Sequence, residues 1–252
     1  MAAGKFNVLF SDLDGTLIFS ASRKKVGDIV IEHKDGEDIS CVTARQAELL
    51  PNIGNIIPVT TRSVEQYRRI EFPKGFAPEY ALCDNGGTLL INGESDGPWL
   101  ERSADIFREA MEDISRFRAL LERDPDRRFE VRMVDGFFLF TKSANPVLTL
   151  ARLGTGESCE CFATGEKVYV IPKRLNKGAA VKRLAELIGL PREGIFCAGD
   201  SLMDVPMLNA AHTAIFTENI PEYKITAPER IQRPANGFSE FVTEMAAALQ
   251  RR

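Results

Sequence analysis

Three apolar runs in this 252-residue chain stop abruptly at polar side chains. Phe6-Asn7-Val8-Leu9-Phe10 enters Ser11-Asp12-Leu13-Asp14-Gly15-Thr16, and Ile56-Ile57-Pro58-Val59 enters Thr60-Thr61-Arg62. Ile195-Phe196-Cys197-Ala198 enters Gly199-Asp200-Ser201-Leu202-Met203-Asp204. Neighbouring strands lie about 4.8 Å apart, and in open parallel sheets sites form beyond the carboxyl ends of the strands. The three ends can therefore converge on one pocket. Asp12, Asp14, Asp200 and Asp204 would repel one another there unless neutralised. A hard divalent cation with oxygen ligands neutralises such a set, and Mg²⁺ suits a pocket that also receives a phosphate. Lys177, at the start of an expected helix, adds a fixed positive charge. Taken singly, each feature has a plain structural explanation: a turn after a strand, a buried hydroxyl, a solvated lysine, a cap on the short helix containing Pro206. The combination, in this order, is far more specific than its members.

Other chemistries are excluded by inspection. The chain has no GxxxxGK[ST] and no GxSxG, and its nearest GxGxxG match, at Gly154-Thr155-Gly156, has Cys159 where the third glycine belongs. With His33 and His212 alone, neither HExxH nor a three-histidine metal site is possible. A calcium loop fits poorly, because the glycine after Asp12 stands fourth rather than sixth. The chemistry must run on carboxylates, hydroxyls and amines.

The elements that would carry these groups follow from periodicity and turn residues. Residues 26–42 read as a hairpin, Ile29–Ile31 and Ile39–Cys41 around Lys34-Asp35-Gly36-Glu37. Thr43 with Gln46, and Ser63 with Gln66, are capping-box patterns that open two helices. Tyr80–Cys83 reads as a further buried strand, closing in Asp84-Asn85-Gly86-Gly87. This alternation argues for a parallel sheet.

The pattern changes in the middle. Ser103 is placed to cap a helix carrying Phe107, Ala110, Met111, Ile114, Phe117 and Leu121 at helical spacing. A hairpin across Asp135-Gly136, a short helix from Asn145-Pro146 to Gly154, and a second hairpin around Thr164-Gly165 follow. Cys159 and Cys161 fall on one strand face, where core packing is expected. Residues 97–171 therefore form a separate α+β module, inserted into an α/β core made of residues 1–96 and 172–252. After Pro172 the α/β pattern resumes with a helix capped by Asn176, the strand at Ile195, a strand at Thr213–Phe216 and a terminal helix from Ser239.

Composition fits a globular protein without a polyanionic partner. Thirty-two Lys and Arg face 36 Asp and Glu, a net charge of −4 that gives no electrostatic reason to expect nucleic acid or a membrane surface. No apolar run reaches the roughly 18 to 20 residues of a membrane span. The five cysteines show neither CxxC pairing nor disulfide density. An expected strand so near the start leaves no room for a leader, so a cytoplasmic location is expected, with a monomer or weak homodimer as the assembly.

The four motifs Asp12-Leu13-Asp14-Gly15-Thr16, Thr60-Thr61-Arg62, Lys177-Gly178 and Gly199-Asp200-Ser201-Leu202-Met203-Asp204 resemble those of the haloacid dehalogenase (HAD) superfamily. The module inserted between the second and third motifs, with Asn85-Gly86 before it, is similar to the subfamily IIB branch that includes sucrose-phosphate phosphatases and Cof-type sugar phosphatases. Thr61 and Met203 depart from the residues common there, glycine and asparagine. The resemblance implies a Rossmann-like α/β core with an α+β cap, and a Mg²⁺-dependent phosphohydrolase acting on a small phosphorylated metabolite, a sugar phosphate by expectation. It implies Asp12 as nucleophile and Asp14 as proton donor and acceptor. Thr60 would hydrogen-bond the phosphoryl oxygens, Lys177 would offset charge on the nucleophile and the phosphate, and Asp12, Asp14, Asp200 and Asp204 would hold the metal. Arg62, Asn85, Gly86, Lys173 and Arg174 are candidate substrate contacts, and the hairpin at 26–42 a flap over the pocket. Two alternatives stay open: a phosphomutase of the phosphomannomutase kind, and a non-catalytic phosphate-binding regulatory module.

Overall fold

The computed structural model describes residues 7–251; Phe6, the expected first residue of the first strand, lies outside them. The chain begins with β1 (Val8–Ser11), followed by β2 (Phe19–Ser20), β3 (Ile29–Lys34), β4 (Glu37–Val42) and α1 (Ala44–Leu49). Next come β5 (Ile56–Pro58), α2 (Val64–Arg68), β6 (Tyr80–Cys83), β7 (Thr88–Ile91) and β8 (Glu94–Ser95). An insertion follows, with α3 (Gly97–Glu109), α4 (Met111–Glu122), β9 (Arg132–Val134), β10 (Phe138–Lys142), α5 (Pro146–Leu153), β11 (Cys159–Thr164) and β12 (Lys167–Pro172). The chain then returns through α6 (Lys177–Leu187), β13 (Ile195–Gly199), α7 (Val205–Ala210), β14 (Thr213–Thr217), β15 (Glu229–Arg233) and α8 (Phe238–Gln250). Two compact units result. Asp96–Asn176 forms one, and the residues before and after it form the other.

The larger unit is built on a five-stranded parallel sheet in the order β15-β14-β13-β1-β5. All four residues of β1 are buried, as expected for a parallel strand covered on both faces. Leu9, Ile56, Ala198 and Ile215 pack with Phe238, Val242, Ala246 and Leu249 of α8, while α7 packs against β13 and β14, and α6 against α7. Both expected capping boxes are present, at Thr43 with Gln46 and at Ser63 with Gln66. β15 was not expected from the sequence: four of its five residues are exposed, so an apolar pattern could not reveal it.

Tyr80–Cys83, buried from Ala81 onward, lies parallel beside the end of β5, as the alternation predicts, but it also has a second neighbour. β6 pairs antiparallel with β7 in its own three-stranded sheet with β8, and meets the parallel sheet through one bridge, Val59 to Leu82. The cause is local. Asp84, Asn85 and Gly86 have φ of +54°, +61° and +94°, and such a left-handed run turns the chain straight back on itself.

The hairpin of β3 and β4 turns at Asp35-Gly36, both at positive φ, as its sequence requires. β2 pairs with the other edge of β4. In β3 the register slips on either side of Glu32, so that adjacent Ile31 and Glu32 are both buried. A regular strand would send one of them to solvent.

The smaller unit has a four-stranded antiparallel sheet, β11-β12-β10-β9. One face packs Leu139, Val168, Val170 and Cys159 against Ile114, Phe117 and Leu121 of α4 and Leu153 of α5. Cys159 lies in this core and Cys161 packs against it. The single helix expected from Ser103 is instead two. α3 starts seven residues earlier, with Asp96 accepting from the Trp99 N–H and Pro98 in its first turn. It breaks at Ala110, and Ser103 is buried within it. The terminal helix likewise begins at Phe238, one residue before Ser239.

Gln46 ties the helical side of the sheet to the loop beyond Asp14. Its fully buried amide donates to the Leu17 carbonyl at 2.8 Å, the Ser239 carbonyl at 3.1 Å and Thr243 Oγ1 at 2.9 Å. Replacing it by Met keeps the length and removes every donor, stranding buried carbonyls. Gln46→Met is expected to lower stability by about 1 to 3 kcal/mol, measured by urea denaturation; an unchanged midpoint would show that these bonds contribute nothing net.

Candidate active site

The carboxyl ends of β1 and β13 lie side by side, in register from Val8 with Ile195 to Ser11 with Ala198. The Asp12 N–H continues the ladder by donating to the Ala198 carbonyl at 2.9 Å. Asp12 and Asp200 are thus delivered by adjacent strands. Asp204 follows in the turn into α7, where its Oδ2 accepts from Asp200 N at 3.2 Å, Ser201 N at 3.0 Å and Ser201 Oγ at 3.0 Å. Asp204 therefore closes its own turn but makes no side-chain cap to the short helix containing Pro206, and its other oxygen accepts from Lys177. Carboxylate oxygens of Asp12, Asp200 and Asp204 all come within 4.8 Å of one another.

Lys177 holds this cluster together. Its buried ammonium donates to Asp12 Oδ1 and Asp204 Oδ1, each at 2.6 Å. Burial disfavours that cation, but the two carboxylates outweigh it and hold Lys177 above the ordinary lysine value. Burial, reinforced by Asp204, pushes the Asp12 carboxyl well up against the pull of Lys177. Asp200 is pushed up to about 6 by burial and then by Asp204, although Thr16 Oγ1 donates to it at 3.2 Å. One ammonium is too little charge for three carboxylates. Their all-oxygen donor set suits Mg²⁺.

Glycines set how closely the backbone approaches. Gly15, at φ +87°, leaves room where a Cβ would lie 2.4 Å from Asp200 Oδ2. A Cβ at Gly199 would lie 2.4 Å from the Cβ of Asp204, and one at Gly178 would lie 2.2 Å from the Pro206 carbonyl oxygen.

Thr60 is fully buried, accepting at Oγ1 from the Arg62 N–H at 3.1 Å, while its carbonyl accepts from Asn85 N at 2.9 Å. Asn85 and Gly86 belong to the left-handed turn, next to the elements around α6. The Asn85 side chain is buried, and neither its oxygen nor its nitrogen has a hydrogen-bond partner among the described residues. Such an amide is costly to leave unpaired and is suited to a bound polar group.

Arg62 is committed to protein carboxylates. Nε and Nη2 grip both oxygens of Asp14 at 2.7 Å, and Nη1 donates to Glu32 Oε2 at 2.8 Å. Lys173 and Arg174 belong to the smaller unit. Lys173 donates to the carbonyls of Gly156 and Glu157, each at 2.9 Å, and Arg174 pairs with Glu109. Sequence reasoning did not assign Thr16 or Ser201, although both stand inside quoted motifs. It missed Glu32 altogether, since nothing in Ile-Val-Ile-Glu-His-Lys signals the register slip.

The family described as sucrose-6F-phosphate phosphohydrolase has a model that matches residues 5–236. A phosphoglycolate phosphatase of Methanosarcina acetivorans is 29% identical over 164 residues, 65% of this chain and 65% of that protein. Another, of Methanopyrus kandleri, is 24% identical over 56% of this chain and 60% of its own length. The chain thus spans just under two thirds of these curated relatives. Among solved structures, the sucrose-phosphatase of Synechocystis sp. PCC6803, in complex with sucrose and phosphate, superposes with a TM-score of 0.66 at 17% identity over 98% of each chain. A phosphatase of the HAD superfamily from Bacteroides thetaiotaomicron gives 0.56 at 11% identity, covering 99% of this chain and 98% of its own. At these identities the likeness is one of fold.

The raised carboxyls have a consequence for stability. Asp200 ionises near 6 when folded, against about 3.9 unfolded. The folded state therefore binds the extra proton, and the associated stability is fully present below pH about 4 and lost as pH rises through about 6. Asp12 is shifted in the same direction and adds to the loss. Chelator-treated protein should melt at progressively lower temperature across this interval, and Asp200→Asn should flatten the decline. A melting temperature that rises from pH 4 to 6.5 in the wild type would contradict this charge arrangement.

Proposed function

The chain belongs to the sucrose-6F-phosphate phosphohydrolase family of the HAD superfamily, and from that premise we propose that it is a Mg²⁺-dependent phosphohydrolase of a small phosphorylated metabolite, a sugar phosphate by preference. The observation that carries this reading is the buried Asp12 carboxylate, tethered through one oxygen to Lys177 beside Asp200 and Asp204. A regulatory phosphate-binding module would need no group in the leaving-group role assigned to Asp14.

Asp12 attacks phosphorus in line, forming an aspartyl-phosphate as the ester P–O bond breaks. Asp14 gives its proton to the departing alkoxide, then removes one from the water that attacks the intermediate. Inorganic phosphate leaves and the Asp12 carboxylate is regenerated. Lys177 keeps Asp12 fixed in one orientation and offsets negative charge. The Thr60 hydroxyl and the Asn85 amide are the groups assigned to phosphoryl oxygens, with Gly86 keeping the turn open beside them. Asp12, Asp200 and Asp204, with the Asp14 backbone carbonyl, would hold Mg²⁺, which supplies electrostatic stabilisation of the transferring phosphoryl group. The smaller unit is assigned the cap's task of reading the non-reacting part of the substrate, with Lys173 and Arg174 as candidate contacts. Binding of that remote part can be used to favour the transition state.

Two substrate classes are in play, because the curated relatives are named phosphoglycolate phosphatases and one structural neighbour was solved with sucrose and phosphate. A screen of phosphate release should include sucrose 6F-phosphate, hexose phosphates and 2-phosphoglycolate. Release is expected to vanish with EDTA, return with Mg²⁺, and prefer a sugar ester. Asp12→Asn should reduce turnover by at least about 10³-fold while the melting temperature stays near that of the wild type. Turnover within a few-fold of the wild type in Asp12→Asn would remove Asp12 as nucleophile. Preference for 2-phosphoglycolate would replace the sugar assignment, and dependence on a sugar bisphosphate would indicate a mutase.

A further inference from the structure

The mechanism above gives no task to Glu32, yet its side chain is fully buried while that of Asp14 is 55% exposed. The register slip in β3 turns Glu32 inward beside Ile31. There each oxygen has its own partners: Oε2 accepts from Ser40 Oγ at 2.7 Å and Arg62 Nη1 at 2.8 Å. Oε1 accepts from Arg69 Nη2 at 3.2 Å and Nε at 3.3 Å. Burial alone would raise this carboxyl, but the bonds from Ser40 and the arginines prevail and hold it below the ordinary glutamate value.

Arg62 lies between Glu32 and Asp14 and uses different edges of its guanidinium for each. The Nε and Nη2 edge takes both Asp14 oxygens, and Nη1 takes Glu32. An arginine side chain carries about 2 kcal/mol of rotamer entropy, so a single contact with a solvent-facing carboxylate would fix neither partner. Anchoring Nη1 in the buried hairpin supplies the missing restraint.

We propose that Glu32 is a positioning residue: through Arg62 it fixes the Asp14 carboxyl at the place where the leaving oxygen must receive its proton. This rests on Asp14 being the acid of the proposed mechanism. If so, loss of Glu32 should matter most when the leaving group most needs a proton. Phenyl phosphate and 4-nitrophenyl phosphate are nearly equal in size, and phenoxide is much the poorer leaving group. Their kcat/KM values report steps up to departure of that oxygen.

For Glu32→Gln, kcat/KM for phenyl phosphate is expected to fall by at least about tenfold and that for 4-nitrophenyl phosphate by no more than about threefold. Inhibition by inorganic phosphate should be unchanged, since phosphate needs no proton donor. Asp14→Asn, assayed alongside, should show the same selectivity more strongly. Equal losses for both esters in Glu32→Gln, with Asp14→Asn selective, would overturn the inference and leave the proposed mechanism standing. Equal losses in Asp14→Asn would remove both. Should Glu32→Gln fail to fold, Arg69→Gln, which frees only Oε1, provides the same comparison with a smaller expected ratio.

Discussion

Concentrating carboxylates at one end of a parallel sheet is possible only if something positive is buried with them, and in this chain that cation is the Lys177 ammonium. It stands between Asp12 and Asp204 at 2.6 Å from each, and the surrounding architecture can be understood as what that position demands. α6 must begin where β1 and β13 end, so its first residue is the lysine itself. The next residue must be glycine, since a side chain there would run into the Pro206 backbone. Gly15 and Gly199 meet the same demand on the other two segments. Removing charge from water costs several kcal/mol per ion, so the trio tolerates no loose packing around it.

Buried carboxylates organise the chain elsewhere too, each in a different way. Asp204 gathers the N–H groups of its own turn. Asp113, in the smaller unit, gathers Ser158 N, Ser158 Oγ and Cys159 N with Arg116, and these bonds overcome burial to hold its carboxyl down to about 2. Glu32 gathers two guanidinium groups and a hydroxyl. Asp204 and Asp113 fix loops; Glu32 joins a hairpin to a neighbouring segment. None is isolated, as the energetics of buried charge requires.

What the sequence disclosed follows the range of the interactions involved. The capping boxes at Thr43 and Ser63, the turns at Asp35-Gly36 and Asp135-Gly136, and the helix from Asn145 to Gly154 depend on residues within a few positions, and their local chemistry was readable. The acidic strand ends were readable because chemistry-bearing residues interrupt apolar runs. The partners of Arg62 were not, because Glu32 lies 30 residues away and becomes inward-facing only through an irregular pairing. β15 escaped notice as a polar edge strand, and the pairing of β6 with β7 escaped because an apolar run does not state which strands will pair with it. The break at Ala110 escaped because helical spacing continues through it.

The slipped register of β3 also bears on how this chain can diverge. Hairpins are ordinarily among the segments where a residue is gained or lost at little consequence. Here the two irregularities offset each other, so that pairing on either side of Glu32 keeps one register. Losing a single residue between Val30 and His33 would throw the outer part of the hairpin out of register with the inner part and take Glu32 from its place opposite Ser40. Lengthening the turn at Asp35-Gly36 would leave that inner geometry alone. Drift in length is therefore channelled to the tip, and a hairpin transplanted from a relative would have to bring its own irregularity with it. The inheritance unit is the hairpin together with Arg62 and Arg69, although 29 residues separate Glu32 from Arg62 along the chain.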